Sequence, residues 1–485
     1  MSEANRLLVP GRTCWRIERA NRFAVIIDAA DYFRTAKAAM LKAQRRIMLI
    51  GWDFDTRIKF EPDGSTMPGP NRLGEFLSWL PKQRPGLHIY LLKWDLGMIQ
   101  ALGRGMTPLF MLNAISSRRV RLKLDSAHPV GAAHHQKIIV IDDCLAFCGG
   151  IDITADRWDT PKHQDADPRR VQPSGRAYGP WHDATTAVDG DLARALGELA
   201  RERWRLGTGE RLAPLQLGLD CWPSELSPTI ENVDVGIART LPQQEGQSEV
   251  REIEALYLAA IRQARRTIYL ESQYFACRTI AEALARRLSE AEGPEIVLVL
   301  PKTTEGWLEE KTMGGARYKL SHLLWRSDVY GRCGIYYPVT KDGVPIYVHA
   351  KIMVVDDILL RVGSSNLNNR SMGFDTECDL ALEVTEASEN GTEMRETILK
   401  LRLELLCEHL GVTAEEFFST FEGQSGSLLR TLDALSGGQK TLKRLLPSDV
   451  VGEDSVLAEN ELMDPERPPP RLGERVSTSL RSLWR

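Results

Sequence analysis

No stretch of the 485-residue sequence reaches eighteen consecutive apolar residues, so no segment reads as a membrane-spanning helix. Positive charge is not in excess. Sixty-two Lys and Arg face 66 Asp and Glu, a net charge of −4, so a nucleic-acid partner is not expected. Cysteine is thin, with eight in all (Cys14, Cys144, Cys148, Cys221, Cys277, Cys333, Cys378 and Cys407), and none forms a CxxC pair. The nine histidines show no zinc-type spacing. Reduced thiols and no metal or other cofactor are the expectation. The start, MSEANRLLVPGRTCWRIERANRF, scatters charges and has no clean apolar stretch, against a secretory signal. A cytoplasmic or peripheral membrane location is expected, with export lacking a standard signal as the alternative.

What the sequence has is ordinary core-forming material and a repeat. Hydrophobic residues make up 43% and charged residues 26%, enough for well-buried domains. The segment GAAHHQKIIVIDDCLAFCGGIDIT (131–154) has a partner in YVHAKIMVVDDILLRVGSSNLN (347–368). With His135 over His349, an offset of 214 (349 − 135), Lys137 falls on Lys351, Asp142 on Asp356 and Gly149 on Gly363. Upstream, AMLKAQRRIMLIGWDF resembles AIRQARRTIYLESQYF, each a helix running into a buried strand. Downstream, WHDATTAVDG matches TECDLALEVT, with Asp183 over Glu377.

Strands alternating with helices in each half predict an α/β fold of two tandem, pseudo-symmetric lobes, each a mixed sheet flanked by helices. The predicted division is a first lobe at 1–205 with an inserted surface loop at 157–180, and a connection at 206–247. A second lobe follows at 248–424, then a partly disordered tail at 425–485. The tail ends in RLGERVSTSLRSLWR, a basic amphipathic segment. That segment and the loop aromatics Trp158, Tyr178 and Trp181, taken as exposed, are candidate membrane contacts.

Side chains alternate along a strand, so His135 and Lys137 share a face, as do His349 and Lys351. Asp142 and Asp356 have the opposite parity and are expected to tie down the strand end. His134 also has the wrong parity for the pocket. Each half alone supplies one imidazole and one ammonium, an incomplete acid–base set. Packed about a pseudo-two-fold axis, the halves supply two of each, a set suited to a phosphodiester. A neutral imidazole attacks phosphorus, and the second protonates the leaving alkoxide. The lysines and an amide such as Asn366, in the turn with Ser364, stabilise the added charge. Asp183 and Glu377 are placed to orient a histidine through its other nitrogen.

HQKIIVID (135–142) and HAKIMVVD (349–356) resemble the two HxKxxxxD motifs of the phospholipase D superfamily, over about 23–410. The resemblance implies the two-lobed fold of that family and a phosphohistidine intermediate, with His135 the nucleophile and His349 the acid/base. CGGIDITADRWD with GPWHD, and GSSNLNNRSMGFDTE, resemble the lipid-hydrolysing members. Asp152 stands where the second half has Asn366, a departure that makes it a doubtful phosphate ligand. The implied function is metal-independent hydrolysis and transphosphatidylation of glycerophospholipids at a membrane surface, with water or an alcohol as acceptor, by a monomer. Alternatives are a cardiolipin synthase-type phosphatidyltransferase, then a nuclease or other phosphodiesterase.

Overall fold

A computed structural model describes residues 6–95, 118–216, 218–244, 246–303, 314–386, 388, 390–449 and 464–465. The basic segment at the C-terminus lies outside the described residues. In the first half, strands β1 (Arg16–Ile27), β2 (Arg46–Gly51), β3 (His88–Trp94), β4 (Val120–Asp125), β5 (Ile138–Ile141), β6 (Leu145–Gly149), β7 (Trp181–His182) and β8 (Ala184–Asp189) follow one another. The second half holds β9 (Ile230–Leu241), β10 (Val250–Arg251), β11 (Thr267–Glu271), β12 (Glu295–Val299), β13 (Cys333–Val339), β14 (Tyr347–Val348), β15 (Ile352–Val355), β16 (Leu359–Gly363) and β17 (Glu377–Glu383). A last strand, β18 (Thr441–Arg444), closes the series.

The two lobes share one sheet. Outward from its middle the order is β1-β8-β6-β5-β2-β3-β4 on one side and β9-β17-β16-β15-β11-β12-β13-β18 on the other. β1 and β9 pair antiparallel at the centre. Their register is symmetric: Arg16 faces Ile237 and Phe23 faces Ile230, pairs that exchange under the 214-residue offset. β9 lies inside the stretch at 206–247, which therefore contributes a central strand of the sheet. Beyond residue 425, a short helix (Leu428–Leu435) buries Leu428, Leu429 and Leu432, and β18 extends the sheet edge beside β13. That part of the expected tail is regular structure, because its leucines have a core to enter.

Strand sequences such as IMLI, IIVI, IVLV and IMVV are buried throughout because helices cover both sheet faces. One core runs across both lobes, filled by the helices Gly190–Thr208 and Gly391–Leu410. The opposite face carries a separate core in each lobe.

The β5–β6 and β15–β16 hairpins explain the doubled aspartates. Asp142 and Asp143 have φ of 51° and 55°, and Asp356 and Asp357 of 54° and 57°. Two successive positive φ values are what a tight hairpin turn of matching twist demands, and Asp tolerates them better than most side chains. Next to the first turn, Cys144 is disulfide-bonded to Cys221, 77 residues on. This corrects the expectation of eight reduced thiols. The pair is distant in sequence and carries no spacing signal, yet folding brings the two Cα atoms to 6.3 Å.

Candidate active site at the seam between the lobes

The motif residues stand where the halves touch, just ahead of β5 and β15. Short parallel pairings cross the seam there. β7 pairs with β14, and the equivalent bridge joins His134 to Thr376. The His349 N–H donates to the His182 carbonyl at 2.8 Å, and the His135 N–H to the Thr376 carbonyl at 3.0 Å. Each pairing sets one histidine beside the residue that follows its partner: Asp183 after His182, and Glu377 after Thr376.

The carboxylates therefore cross over. His135 Nδ1 lies 3.0 Å from both oxygens of Glu377, and His349 Nδ1 lies 2.6 Å from Asp183 Oδ2. A carboxyl group occupies each Nδ1, which leaves Nε2 as the nitrogen free to act. Burial, then the charges of Lys137 and Lys351, holds the His135 imidazole well below the usual histidine value. Burial, then Lys351, Arg157 and Lys137, does the same to His349. Both imidazoles thus sit within electrostatic reach of both lysines, as one site requires.

The two sides of this site are not copies. Glu377 is buried and its carboxyl is pushed up to about 8, although Ser364 and Ser371 hydroxyls donate to it at 2.5 and 2.6 Å. Asp183 is also raised by burial, and accepts from the Ala184 N–H at 2.8 Å. Where the second lobe has Ser364 the first has Gly150, and a Cβ there would lie 2.3 Å from Asp183 Oδ1. Lys137 pairs with Asp152 at 2.8 Å, and Asp152 also accepts from the Trp52 N–H at 3.1 Å. This carboxylate holds a lysine. On the other side Lys351 donates to the His349 carbonyl, lies 3.1 Å from His349 Nδ1, and is lowered by burial to about 7. Asn366 is buried there, its Oδ1 without a hydrogen-bond partner among the described residues.

Asp142 and Asp356 face away from the site. Asp142 accepts the N–H groups of Gln44, Arg45 and Arg46 at 2.6, 2.8 and 2.6 Å, and Asp356 those of Arg265, Arg266 and Thr267 at 2.6, 2.7 and 2.8 Å. Each pins the start of β2 or β11. His134 is buried on the far side, 2.8 Å from the Thr376 hydroxyl.

The inserted loop is not a loose surface excursion. Its centre is Asp159, fully buried, which accepts from His163 at 2.9 Å, Arg170 at 3.1 Å and the Trp181 N–H at 2.9 Å. Trp158 and Trp181 are buried, which corrects their reading as exposed aromatics. Trp181 stacks on Tyr347 at 4.6 Å and lies 5.2 Å from the His349 ring. Arg157, buried over the Trp181 ring at 4.2 Å, adds a third cation to the site, beside Lys137 and Lys351. Sequence reasoning passed over Arg157, since a loop rich in proline, glycine and charge gives no sign that it folds inward.

A second cluster lies behind the site. His182 bridges Glu271 and Glu408 at 2.9 Å each, His163 reaches Glu408 at 3.0 Å, and His409 reaches Glu271 at 3.1 Å. Asp28 completes a donor set of a kind that holds cations, so histidines unclustered in sequence do gather in space. His163 is raised to about 9, with Asp28 the leading favourable charge against burial, and His182 is raised well above its usual value by Glu271 and Glu408. Protons on these rings bridge the carboxylates, and the network fixes the backbone that carries Asp183.

Comparison with known proteins places this architecture. A family model described as Phospholipase D matches residues 39–280, and one described as Cardiolipin synthase, PLD-like domain, matches 257–397. The chain is 24% identical, over 80% of its length, to phospholipase D A of Dictyostelium discoideum, of which it covers 35%. It is 23% identical, over 82% of its length, to phospholipase D alpha 4 of Arabidopsis thaliana, of which it covers 66%. It thus spans from about a third to two thirds of the length of these curated relatives. The crystal structure of phosphatidylserine synthase from Haemophilus influenzae superposes with a TM-score of 0.53 at 12% identity, covering 84% of this chain and 95% of that one. At that identity the likeness is one of fold.

Proposed function

Since this chain belongs to the phospholipase D superfamily, we propose that it cleaves the headgroup phosphodiester of glycerophospholipids. The products are phosphatidic acid and the free headgroup, and an alcohol can replace water as acceptor. The observation that carries this reading is the crossed pairing of His135 with Glu377 and His349 with Asp183, between lysines from both lobes.

His135 Nε2 attacks phosphorus and the headgroup oxygen leaves with a proton from His349, giving a phosphohistidine. His349 then takes a proton from water or an alcohol, whose oxygen displaces His135 and restores it. The side chain of His135 is 15% exposed and that of His349 6%, which supports His135 as the nitrogen open to an incoming phosphorus. Both rings are neutral at rest. A bound phosphodiester anion raises His349 enough to hold the proton it must give. Lys137, Lys351 and Asn366 meet the non-bridging oxygens, and Lys351 does so best while it keeps its proton, below about 7. Asp142 and Asp356 act only through the strands they pin.

The test is to incubate the protein with mixed phospholipid vesicles, with and without glycerol or short alcohols, and to follow headgroup, phosphatidic acid and phosphatidyl-alcohol. His135→Ala and His349→Ala should each lower all three products by at least about three orders of magnitude. Survival of either variant overturns the single shared site. Cardiolipin formed from phosphatidylglycerol would instead favour the phosphatidyltransferase reading that the second family model raises.

A further inference from the structure

We propose that the turns carrying Val130 and Val344 form a paired docking rim beside the active-site mouth, and that its partner is the surface of an anionic phospholipid bilayer. The proposal rests on the reading of the protein as a phospholipid phosphodiesterase. Val130 is 87% exposed, the barest large apolar side chain among the described residues, and Val344 is 44% exposed. The 214-residue offset that places His135 on His349 also places Val130 on Val344, five residues ahead of each histidine. The two-fold relation of the lobes thus sets one valine on each side of the seam.

Both tips are built features. Gly131, next to Val130, has φ of 84°, and Gly343, next to Val344, has φ of 81°, left-handed values that turn the chain sharply. Arg370 Nη2 donates to the Gly131 carbonyl at 2.7 Å, and the Phe374 ring stands 3.6 Å from where a Cβ on Gly131 would be. The second turn is closed by the Thr340 N–H on the Val344 carbonyl at 2.8 Å and the Val344 N–H on the Thr340 hydroxyl at 3.1 Å. Asp165 of the inserted loop clamps that turn by accepting from the Thr340 hydroxyl and the Asp342 N–H.

The second turn also adjoins a wall of the site. Pro345 and Tyr347 join Trp181 in lining a cavity of about 580 Å³ beside His349, and Arg176 of the inserted loop lines it too. Arg176 and Lys341 are exposed. The Val344 tip therefore has two exposed cations near it, against one exposed acid of the same turn, Asp342. In water an exposed valine is merely tolerated, whereas at a bilayer the apolar tip enters the acyl boundary while Arg and Lys reach the lipid phosphates.

The experiment uses the full chain and vesicles of equal parts phosphatidylcholine and phosphatidylglycerol. Co-sedimentation reads binding, and headgroup release reads turnover. A short-chain phosphatidylcholine kept below its micelle threshold serves as a monomeric substrate. The Val130→Asp/Val344→Asp variant should lose about tenfold or more in vesicle binding, with vesicle turnover falling alongside, while monomeric substrate is cleaved at the wild-type rate. Val130→Leu/Val344→Leu should bind at least as tightly as wild type. Val329→Asp should bind normally, since Val329 is 67% exposed at the end of β13 opposite the Thr340–Val344 turn. Unchanged binding by the double aspartate variant, equal loss by Val329→Asp, or weakened binding by the leucine variant overturns the rim. If wild type cleaves neither lipid form, the phosphodiesterase reading fails, while sedimentation still decides the rim.

Discussion

Asp142 and Asp356 occupy equivalent turns and accept three backbone N–H groups each, but their surroundings differ. Around Asp142 the bonds are buried or part-buried, whereas two of the three to Asp356 are exposed. Water replaces the lost acceptor only at the second. Chemical denaturation should show Asp142→Ala costing about 2–4 kcal/mol and Asp356→Ala distinctly less. Glu377 presents the opposite case, a buried acid that costs stability when it ionises. Its folded value of about 8 lies above the ordinary 4.5, so between these the folded chain keeps a proton that the unfolded chain has released. Stability from this group is full below 4.5 and is lost as pH rises through about 8. The amide of Glu377→Gln never ionises. Its melting temperature should rise relative to wild type across that window, while activity falls because an amide cannot balance a charged His135.

Among the elements, the β5–β6 turn has an added restraint. The Cys144–Cys221 disulfide ties it to the segment that leads into β9, the strand at the centre of the sheet. Closing a loop of this length removes freedom from the unfolded chain. Cys221→Ser is expected to lower stability by about 2–4 kcal/mol, measured by denaturant titration without reductant. Reductant should shrink the difference between the two proteins. Strand parity assigned Asp142 and Asp356 to the strand end in sequence, because parity is a local property of the chain. The disulfide was not visible, since nothing local marks two cysteines 77 residues apart.

Across the whole molecule, one sheet and one shared core make the lobes a single working unit. Each histidine depends on a carboxylate from the other lobe, so the energetic coupling should cross the seam. Asp183→Asn should lower kcat/KM by roughly two to four orders of magnitude, and should add nothing further in a His349→Ala background. Against His135→Ala the same change should not be silenced in that way, if residual rates are compared at high enzyme concentration. A cycle that couples Asp183 to His135 instead would contradict the crossed geometry.

The sequence by itself determined the repeat and the α/β lobes, and singled out His135, Lys137, His349 and Lys351 as candidates, because strand parity and a constant offset are properties of order along the chain. It also separated the motif aspartates from the pocket, since parity decides which side of a strand a residue faces. Only the tertiary structure decided which carboxylate serves which histidine, that Asp152 neutralises Lys137, and that Arg157 and Trp181 turn inward. These depend on distances between segments far apart in the chain, set by packing across the seam. The two lobes pair about an axis that no single stretch of sequence contains.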